Sequence, residues 1–221
     1  GNAAHELRTP LALIQAQLDL YHSTENDADL DAAQETIQMI TEQNERLSKL
    51  VKTLLDMSEL QTIMRNDKIE LFGLIEEVLT DLEPLALEKG IALIQEPQDT
   101  TYDKEYIISN ELMLTGSDIL IYRMLYNLVE NAIKYNHVNG KVIVSAKQTG
   151  NDIVITIADT GSGIDEAFRE KIFEPFFRVD KSRSREIGGV GLGLAMVREI
   201  VRAHDGKIDV HQNAYGGTTF E

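Results

Sequence analysis

The sequence predicts an α+β protein. An antiparallel helical hairpin forming a dimeric four-helix bundle is followed by a domain of mixed helices and strands with one helical layer. Two observations favour this architecture. Apolar residues recur at heptad-like spacing in the first part, and helical and strand patterns are then interspersed without regular alternation. We therefore predict two domains, residues 1–66 and residues 67–221.

The first segment is predicted to contain two amphipathic helices. The first helix has an apolar stripe with steps of four, three and four residues, formed by Leu7, Leu11, Ile14 and Leu18. Residues 23–27, Ser-Thr-Glu-Asn-Asp, are turn formers and predict a chain reversal. The second, longer helix has its stripe at Ile37, Ile40, Leu47, Val51 and Leu54. Two helices cannot cover such stripes from water, so the pattern predicts a homodimer.

The second segment is predicted to mix helices and strands. A helix over 72–88 ends at Gly90, and another begins at Ser117 or Asp118, which both suit the N-cap position, and runs through Tyr135. A third helix covers 190–203. Strands are predicted at 91–95, 111–114, 207–210 and near the C-terminus, with a hairpin formed by 141–147 and 152–158 around Gly150-Asn151.

Composition excludes several classes of function. A formal net charge of −16 argues against nucleic acid as a partner, because duplex binding needs a basic surface. The absence of cysteine excludes disulfides and thiolate metal sites. No apolar run approaches the roughly 18 residues of a membrane-spanning helix, and no signal peptide is visible. We interpret the chain as a cytoplasmic fragment without membrane contact, which a segment outside these residues could tether to the cell membrane.

His5 has the setting of an accessible nucleophile. On an ideal helix it lies roughly 150° from the apolar stripe, and Thr9 follows one turn later on the same side. Glu6 is adjacent, and Pro10 removes the hydrogen bond to the Glu6 carbonyl. A neutral imidazole can attack with one nitrogen while a carboxylate holds the proton of the other. A solvated surface histidine is the alternative interpretation of these residues taken alone.

Three further patterns are candidates for a phosphate site. Asn127 and Asn131 share one helix face, followed by Lys134 and Tyr135; amide oxygens suit Mg²⁺ and a lysine suits phosphate. Asp159-Thr160-Gly161-Ser162-Gly163 follows an apolar strand and offers a carboxylate beside an accessible backbone. The glycine-rich residues 188–194 precede a helix N-terminus, where amides can bind phosphate. Each pattern alone is also compatible with polar surface or a tight loop.

The order of these patterns resembles the H, N, G1, F and G2 boxes of sensor histidine kinases. The matching segments are His-Glu-Leu-Arg-Thr-Pro-Leu at 5–11, Asn-Leu-Val-Glu-Asn-Ala-Ile-Lys-Tyr at 127–135, Asp-Thr-Gly-Ser-Gly at 159–163, Phe-Glu-Pro-Phe-Phe at 173–177 and Gly-Val-Gly-Leu-Gly-Leu at 189–194. The resemblance spans essentially the whole chain. It implies a dimerisation and phosphoacceptor hairpin, followed by an α/β-sandwich ATPase domain of the type shared with gyrase, with a mixed sheet and one helical layer.

The resemblance also implies roles for individual residues. His5 would accept the γ-phosphoryl group of ATP, Glu6 would act as its general base, and Thr9 would help position water in a reverse, phosphatase reaction. Asn127 and Asn131 would hold Mg²⁺, and Asp159 would bind the adenine amine. The other residues implied in ATP binding are Lys134, Tyr135, Gly161, Gly163, Arg178, Gly189, Gly191, Leu192, Gly193 and Thr219, with the glycines hinging and lining a mobile lid. The implied partners are a second copy of the chain and the receiver domain of a response regulator.

Three rival functions differ in chemistry. A related ATPase would hydrolyse ATP with a catalytic glutamate, but the residue four positions before Asn131 is Asn127, and Glu130 lies elsewhere on the helix. A non-enzymatic scaffold would have a degenerate nucleotide site, and the boxes here are intact. A protein-serine kinase of the same ATPase family would not need the hairpin that carries His5.

Overall fold

The computed structural model describes residues 2–23, 30–60, 62–96, 112–179 and 191–221. The chain packs into two compact units, residues 1–59 with 175–192 and residues 60–174 with 193–221. In chain order the elements of the described residues are α1 (Asn2–Ser23), α2 (Leu30–Glu59), β1 (Asp67–Glu70), α3 (Leu71–Lys89), β2 (Ala92–Gln95), β3 (Met113–Gly116), α4 (Asp118–Lys134), β4 (Lys141–Thr149), β5 (Asp152–Asp159), α5 (Gly193–Ala203), β6 (Val210–Gln212) and β7 (Thr218–Phe220). Short 3-10 helices at Glu166–Phe168 and Lys171–Phe173 follow β5.

The first unit contains the predicted helical hairpin. Helices α1 and α2 contact each other, and Leu50 of α2 is fully buried. Members of both apolar stripes nevertheless remain accessible: Leu11 is 55% exposed and Ile37 is 65% exposed. One hairpin therefore leaves apolar surface uncovered. Apart from Ser23, the predicted turn at residues 23–27 lies outside the described residues.

The second unit is built on a five-stranded mixed sheet of order β2-β4-β5-β7-β6. Strands β2 and β4 are parallel, and the other neighbours are antiparallel. The predicted hairpin is confirmed as β4–β5, with Gly150 in its turn at a φ of 63°, a backbone conformation that favours glycine. Alternate residues of β4, namely Val142, Val144 and Ala146, are buried, as the two-residue period of a strand requires.

Helices α3, α4 and α5 form one helical layer against this sheet. Helix α4 contacts both α3 and α5, and also β4 and β5. Its start is capped by Ser117, whose Oγ accepts from the Leu120 amide at 3.5 Å. Helix α3 ends at Gly90, in the left-handed conformation expected of a C-cap glycine. The hydroxyl of Tyr122 on α4 donates to Asp81 on α3, and burial together with this contact raises the pKa of Tyr122.

Two strand predictions need correction. The strand predicted at 207–210 is wrong in position, because β6 covers Val210–Gln212, where Val210 lies opposite Phe220 of β7. The strand predicted at 111–114 corresponds to β3, which begins and ends two residues later, at Met113 and Gly116. Residue 111 lies outside the described residues. Strand β1 was not predicted, since Asp-Lys-Ile-Glu has a single apolar residue; it pairs with β3 as a separate two-stranded sheet. Pairing with distant partners determines all three positions.

Candidate functional site

Helix α4 carries the two asparagines predicted to share one face. The Nδ2 group of Asn127 donates to the Arg123 carbonyl at 2.8 Å. Its Oδ1 lies so near Gly193, the first residue of α5, that a Cβ atom on Gly193 would be 2.7 Å from it. The side-chain amide group of the half-buried Asn131 makes no hydrogen bond to any residue that the structure describes. The fold therefore brings Asn127 and Gly193 together and leaves the Asn131 amide available for a ligand.

Lys134 and Tyr135 form the C-terminal end of α4. The Lys134 ammonium lies 2.8 Å from the Glu130 carboxylate, one turn earlier on the same helix. Tyr135 is the C-cap residue, with 47% of its surface exposed. Its carbonyl accepts a long hydrogen bond, 3.4 Å, from the Ser162 amide. This bond joins the end of α4 to the loop that follows β5.

Asp159 ends β5 as a buried carboxylate, with 7% of its surface exposed. Its Oδ1 accepts hydrogen bonds from the amides of Gly161 at 2.8 Å and Thr218 at 3.1 Å. Burial raises the pKa of Asp159, because it disfavours the charged form, while the hydrogen bonds from Thr218 and Gly161 act in the opposite direction. The two amides hold the carboxylate in one orientation through Oδ1.

The glycines of the loop after β5 permit close backbone contacts. A Cβ atom on Gly161 would lie 2.5 Å from the Tyr135 carbonyl oxygen, which is closer than real side chains come. Gly163 has a φ of 69°, and a Cβ atom there would lie 2.6 Å from the Gly216 carbonyl oxygen. The loop therefore packs on the end of α4 on one side and on the turn between β6 and β7 on the other. Larger residues would separate these three segments.

Sequence reasoning missed two residues that organise this region. Asn136 accepts from the Thr160 hydroxyl at 3.1 Å and donates to the Lys141 carbonyl at 2.9 Å. Asn213 donates to the Asp159 carbonyl at 2.8 Å and to the Oγ1 of the buried Thr219 at 3.3 Å. The sequence Asn-Ala-Tyr-Gly-Gly indicates a turn at 213–217, but no local signal indicates a contact with a residue 54 positions away.

Three other predicted ATP-site residues, Arg178, Gly191 and Leu192, belong to the first compact unit. Arg178 is half-buried and Leu192 is buried. The Phe176 amide donates to the Gly191 carbonyl at 2.8 Å, and both residues have positive φ, 67° and 77°. This contact joins two residues that are 15 positions apart in the chain. Gly189 lies outside the described residues.

The predicted phosphoacceptor region lies in α1. The backbones of His5 and Glu6 are in the first two turns of this helix. Thr9 is exposed, and Pro10 is buried within the helix. The predicted helical setting of His5 is therefore confirmed for its backbone.

The residues of the second unit fit a magnesium ion that is shared with a polyphosphate ligand. Among the described residues no group of three or more His, Cys, Asp or Glu side chains could hold a metal by itself. Neutral amide oxygens are available instead at Asn127 and Asn131. Mg²⁺ keeps several waters and is commonly bound through one or two protein ligands plus phosphate oxygens, so this donor set is sufficient.

Two family models match the chain. Residues 1–63 match the His Kinase A (phospho-acceptor) domain, and residues 116–221 match the Histidine kinase-, DNA gyrase B-, and HSP90-like ATPase.

None of the described helices combines the length and the apolar character that a bilayer crossing requires.

Similar proteins cover the whole chain. This chain is 34% identical over 226 residues to sensor histidine kinase RppB of Synechocystis sp., and the match covers 100% of this chain and 47% of that protein. It is 32% identical over 229 residues to signal transduction histidine-protein kinase ArlS of Staphylococcus aureus, again covering 100% of this chain and 47% of that protein. The crystal structure of histidine kinase ThkA in complex with response regulator protein TrrA matches with a TM-score of 0.72 and 26% identity, over 99% of this chain and 58% of that chain. The chain thus spans about half the length of the curated relatives it matches.

Proposed function

The chain belongs to the sensor histidine kinases of two-component systems, and on that premise we propose that it transfers the γ-phosphoryl group of ATP to His5. The phosphoryl group then passes to an aspartate in the receiver domain of a response regulator. Residues 1–66 form the dimerisation and phosphotransfer domain, and residues 67–221 form the ATP-binding domain. The crystal structure of ThkA with response regulator TrrA supports a partner of this kind.

The observation that carries this proposal is the environment of Asp159. The Oδ1 of this buried carboxylate accepts from the amides of Gly161 and Thr218, and the Thr218 side chain also hydrogen-bonds to the carboxylate. A carboxylate has about four lone-pair sites, so it retains the capacity to accept from a ligand. An exocyclic amine, such as that of adenine, is a donor of the required kind. A Cβ atom on residue 161 would lie 2.9 Å from Oδ1, so glycine at this position allows the loop backbone to approach the carboxylate closely. We therefore assign Asp159 to the adenine amine, with Thr219 beside it.

The triphosphate end is assigned to α4 and the glycine-rich segment. Asn131 and Asn127 would hold Mg²⁺, which would neutralise phosphate charge when bound. Lys134 would exchange its ion pair with Glu130 for a phosphate oxygen, and Tyr135, half-exposed at the end of α4, would pack on the nucleotide. A lid over the triphosphate would be hinged and lined by Gly161, Gly163, Gly189, Gly191 and Gly193, and Arg178 and Leu192 would also take part in ATP binding. Phosphoryl transfer depends mainly on such positioning and charge neutralisation.

The transfer to His5 balances as a simple displacement. A neutral imidazole nitrogen forms a bond to the γ-phosphorus, and the bond from that phosphorus to the oxygen of the leaving ADP breaks. Glu6 takes or holds the proton of the other ring nitrogen, which neutralises the positive charge that the new bond creates on the ring. Thr9, exposed one turn later, would position water for the reverse reaction, hydrolysis of the phosphorylated regulator.

Hydrolysis of ATP as the main reaction is less well supported. It needs a carboxylate that activates water, and the acidic residue next to Asn131 is Glu130. The Glu130 carboxylate lies 2.8 Å from the Lys134 ammonium, one turn later on the same helix. The position four residues before Asn131 is Asn127 and not a glutamate, which favours phosphorylation of the protein over hydrolysis.

Incubation of the chain with γ-labelled ATP and Mg²⁺ tests the proposed function. The expected result is protein-bound label that is labile in acid and stable in alkali, as a phosphorus–nitrogen bond requires. Subsequent addition of a receiver domain should remove the label from the chain. Stoichiometric binding of ATP with release of phosphate and no bound label would instead identify an ATPase.

Replacing Asp159 by asparagine should separate nucleotide affinity from stability. The variant loses an ionic acceptor and places an amide donor against the adenine amine, so ATP affinity should fall about 10- to 100-fold. Burial raises the pKa of Asp159 in the folded protein above its value in the unfolded chain. The free energy of unfolding of the wild type therefore falls as the pH rises through the folded-state pKa and the carboxylate ionises. The melting temperature of the variant should therefore equal or exceed that of the wild type at pH 7.5, with the difference shrinking in acid. Calorimetric titration and thermal melts at several pH values measure both quantities; unchanged ATP affinity would contradict the role of Asp159.

The exposed stripes of α1 and α2 support the proposed homodimer. Ile37 is 65% exposed although it belongs to the predicted heptad pattern. Introducing a charge there, Ile37→Glu, should shift the protein from dimer to monomer, because a carboxylate in an apolar bundle seam is strongly disfavoured. Light scattering at several concentrations measures the mass. The neighbouring Gln38→Glu adds the same charge outside the stripe and should remain dimeric; equal masses for the two variants would contradict the dimer seam.

A further inference from the structure

Asn213 occupies the junction between the β6–β7 hairpin and the end of β5. Its Nδ2 group donates to three acceptors, the carbonyls of Asp159 at 2.8 Å and Thr218 at 3.1 Å and the hydroxyl oxygen of Thr219 at 3.3 Å. Its Oδ1 accepts from the amides of Tyr215 at 3.0 Å and Gly217 at 3.1 Å. Both the oxygen and the nitrogen of the side-chain amide are thus engaged. Rotating this group by a half turn would place its N–H donors against the N–H donors of Tyr215 and Gly217.

The two halves of this amide have different structural consequences. The bonds to Oδ1 close the turn at residues 213–217, together with the Asn213 amide donating to the Gly217 carbonyl at 3.0 Å. The bonds from Nδ2 attach that turn to Asp159 and to β7. Only a side chain with both a carbonyl and an amino group can make the two sets at once; aspartate has no donor, and alanine has neither group.

The closed turn is in direct contact with the carboxylate of Asp159. Gly217 packs against this residue so closely that a Cβ atom on Gly217 would be 2.1 Å from the Asp159 carbonyl oxygen and 2.8 Å from Oδ1. The next residue, Thr218, supplies one of the two amides that bind Oδ1, at 3.1 Å. Gly216, in the same turn, contacts Gly163 of the loop after β5. The position of this turn therefore determines the orientation of the carboxylate.

We propose that Asn213 is a positioning residue for base recognition, which orients Asp159 so that its carboxylate accepts from the 6-amino group of adenine. This inference rests on the proposed function, in particular on the role of Asp159, and extends it to a residue on a different hairpin. Asn213 acts through Asp159 and does not touch the nucleotide. Its loss should reduce the discrimination between adenine and a purine without the amino group, rather than nucleotide binding in general.

Discrimination between ATP and purine riboside triphosphate, which has hydrogen in place of the 6-amino group, tests this proposal. The full chain is titrated with each nucleotide in Mg²⁺ by competition against a fluorescent ATP analogue. We expect the wild type to prefer ATP by about tenfold or more, because the carboxylate loses its partner with the analogue. In Asn213→Ala this ratio should fall to about threefold or less, while affinity for the analogue changes by less than about twofold.

Two further variants make the result specific. Asn213→Asp keeps the oxygen that closes the turn but loses the donors to Asp159 and Thr218, so it should also lose discrimination even if the alanine variant does not fold. Tyr215→Ala, which alters a 74% exposed side chain in the same turn, should keep the wild-type ratio. Equal loss of affinity for both nucleotides, or a ratio that stays at the wild-type value in the Asn213 variants, would overturn this inference alone. A wild type that does not distinguish the two nucleotides would overturn the role of Asp159 as well.

Discussion

Replacing His5 by glutamine is expected to abolish protein phosphorylation while leaving ATP binding unchanged. Glutamine is polar and compatible with α1 but has no nucleophilic nitrogen, so the bond to the γ-phosphorus cannot form. The proposed ATP site lies in the domain after residue 66, so its affinity should stay within about twofold of the wild type. Acid-labile label from γ-labelled ATP and a calorimetric titration measure the two properties.

The control for His5 is a histidine in the same protein without the proposed role. His211, exposed in β6, can be replaced by glutamine with the same change in chemistry. The His211→Gln variant should label at the wild-type rate. Wild-type labelling of the His5→Gln variant would show that His5 is not the phosphoacceptor, and equal loss of label in both variants would point to a general effect of the substitution.

Replacing Asn131 by alanine should lower the rate of phosphorylation on the order of 100-fold, because a preorganised ligand of the charge-neutralising metal is lost. The half-buried Asn131 amide makes no hydrogen bond to the described part of the chain, so the substitution should hardly change the melting temperature. A metal ligand has a distinctive signature: higher Mg²⁺ concentration should restore part of the rate. Single-turnover labelling over a Mg²⁺ titration measures the effect.

The matched control for Asn131 is Asn151→Ala. Asn151 is exposed in the turn of the β4–β5 hairpin, and its replacement removes the same group from a position without a proposed ligand. This variant should match the wild type in rate and in Mg²⁺ dependence. The metal role of Asn131 would be contradicted if its variant kept the wild-type rate, or if its deficit were the same at every Mg²⁺ concentration.

Locally encoded features of the fold were predicted correctly. Helices α1 and α2 have apolar stripes that only a helix brings to one side, and the β4–β5 hairpin has alternating residues around Gly150-Asn151. The Ser117 cap and the Gly90 end also follow from local backbone requirements. Family membership, inferred from five boxes in order, is confirmed by the two family models and the similar proteins.

Features that depend on strand pairing were not predictable in the same way. Strand β1 contains one apolar residue and is stabilised by pairing with β3, which is distant in the chain. The position of β6 follows from the alignment of Val210 with Phe220, not from its own residues. A two-residue period in sequence gives the exposed and buried sides of a strand but does not specify its partner.

The candidate site shows the same division between local and long-range information. By itself, the sequence determined the candidate residues for the proposed chemistry: an imidazole beside a carboxylate at 5–6, amides one turn apart on α4, and an aspartate before glycines at the end of β5. Tertiary structure alone decided that the Asp159 carboxylate is buried and that the Thr218 amide, 59 residues away, binds it. It also decided that the Asn213 side chain hydrogen-bonds to the Thr218 carbonyl and the Gly217 amide, next to that amide in the chain. Such hydrogen bonds depend on the register of β7 against β5, and register is set by the packing of the whole sheet.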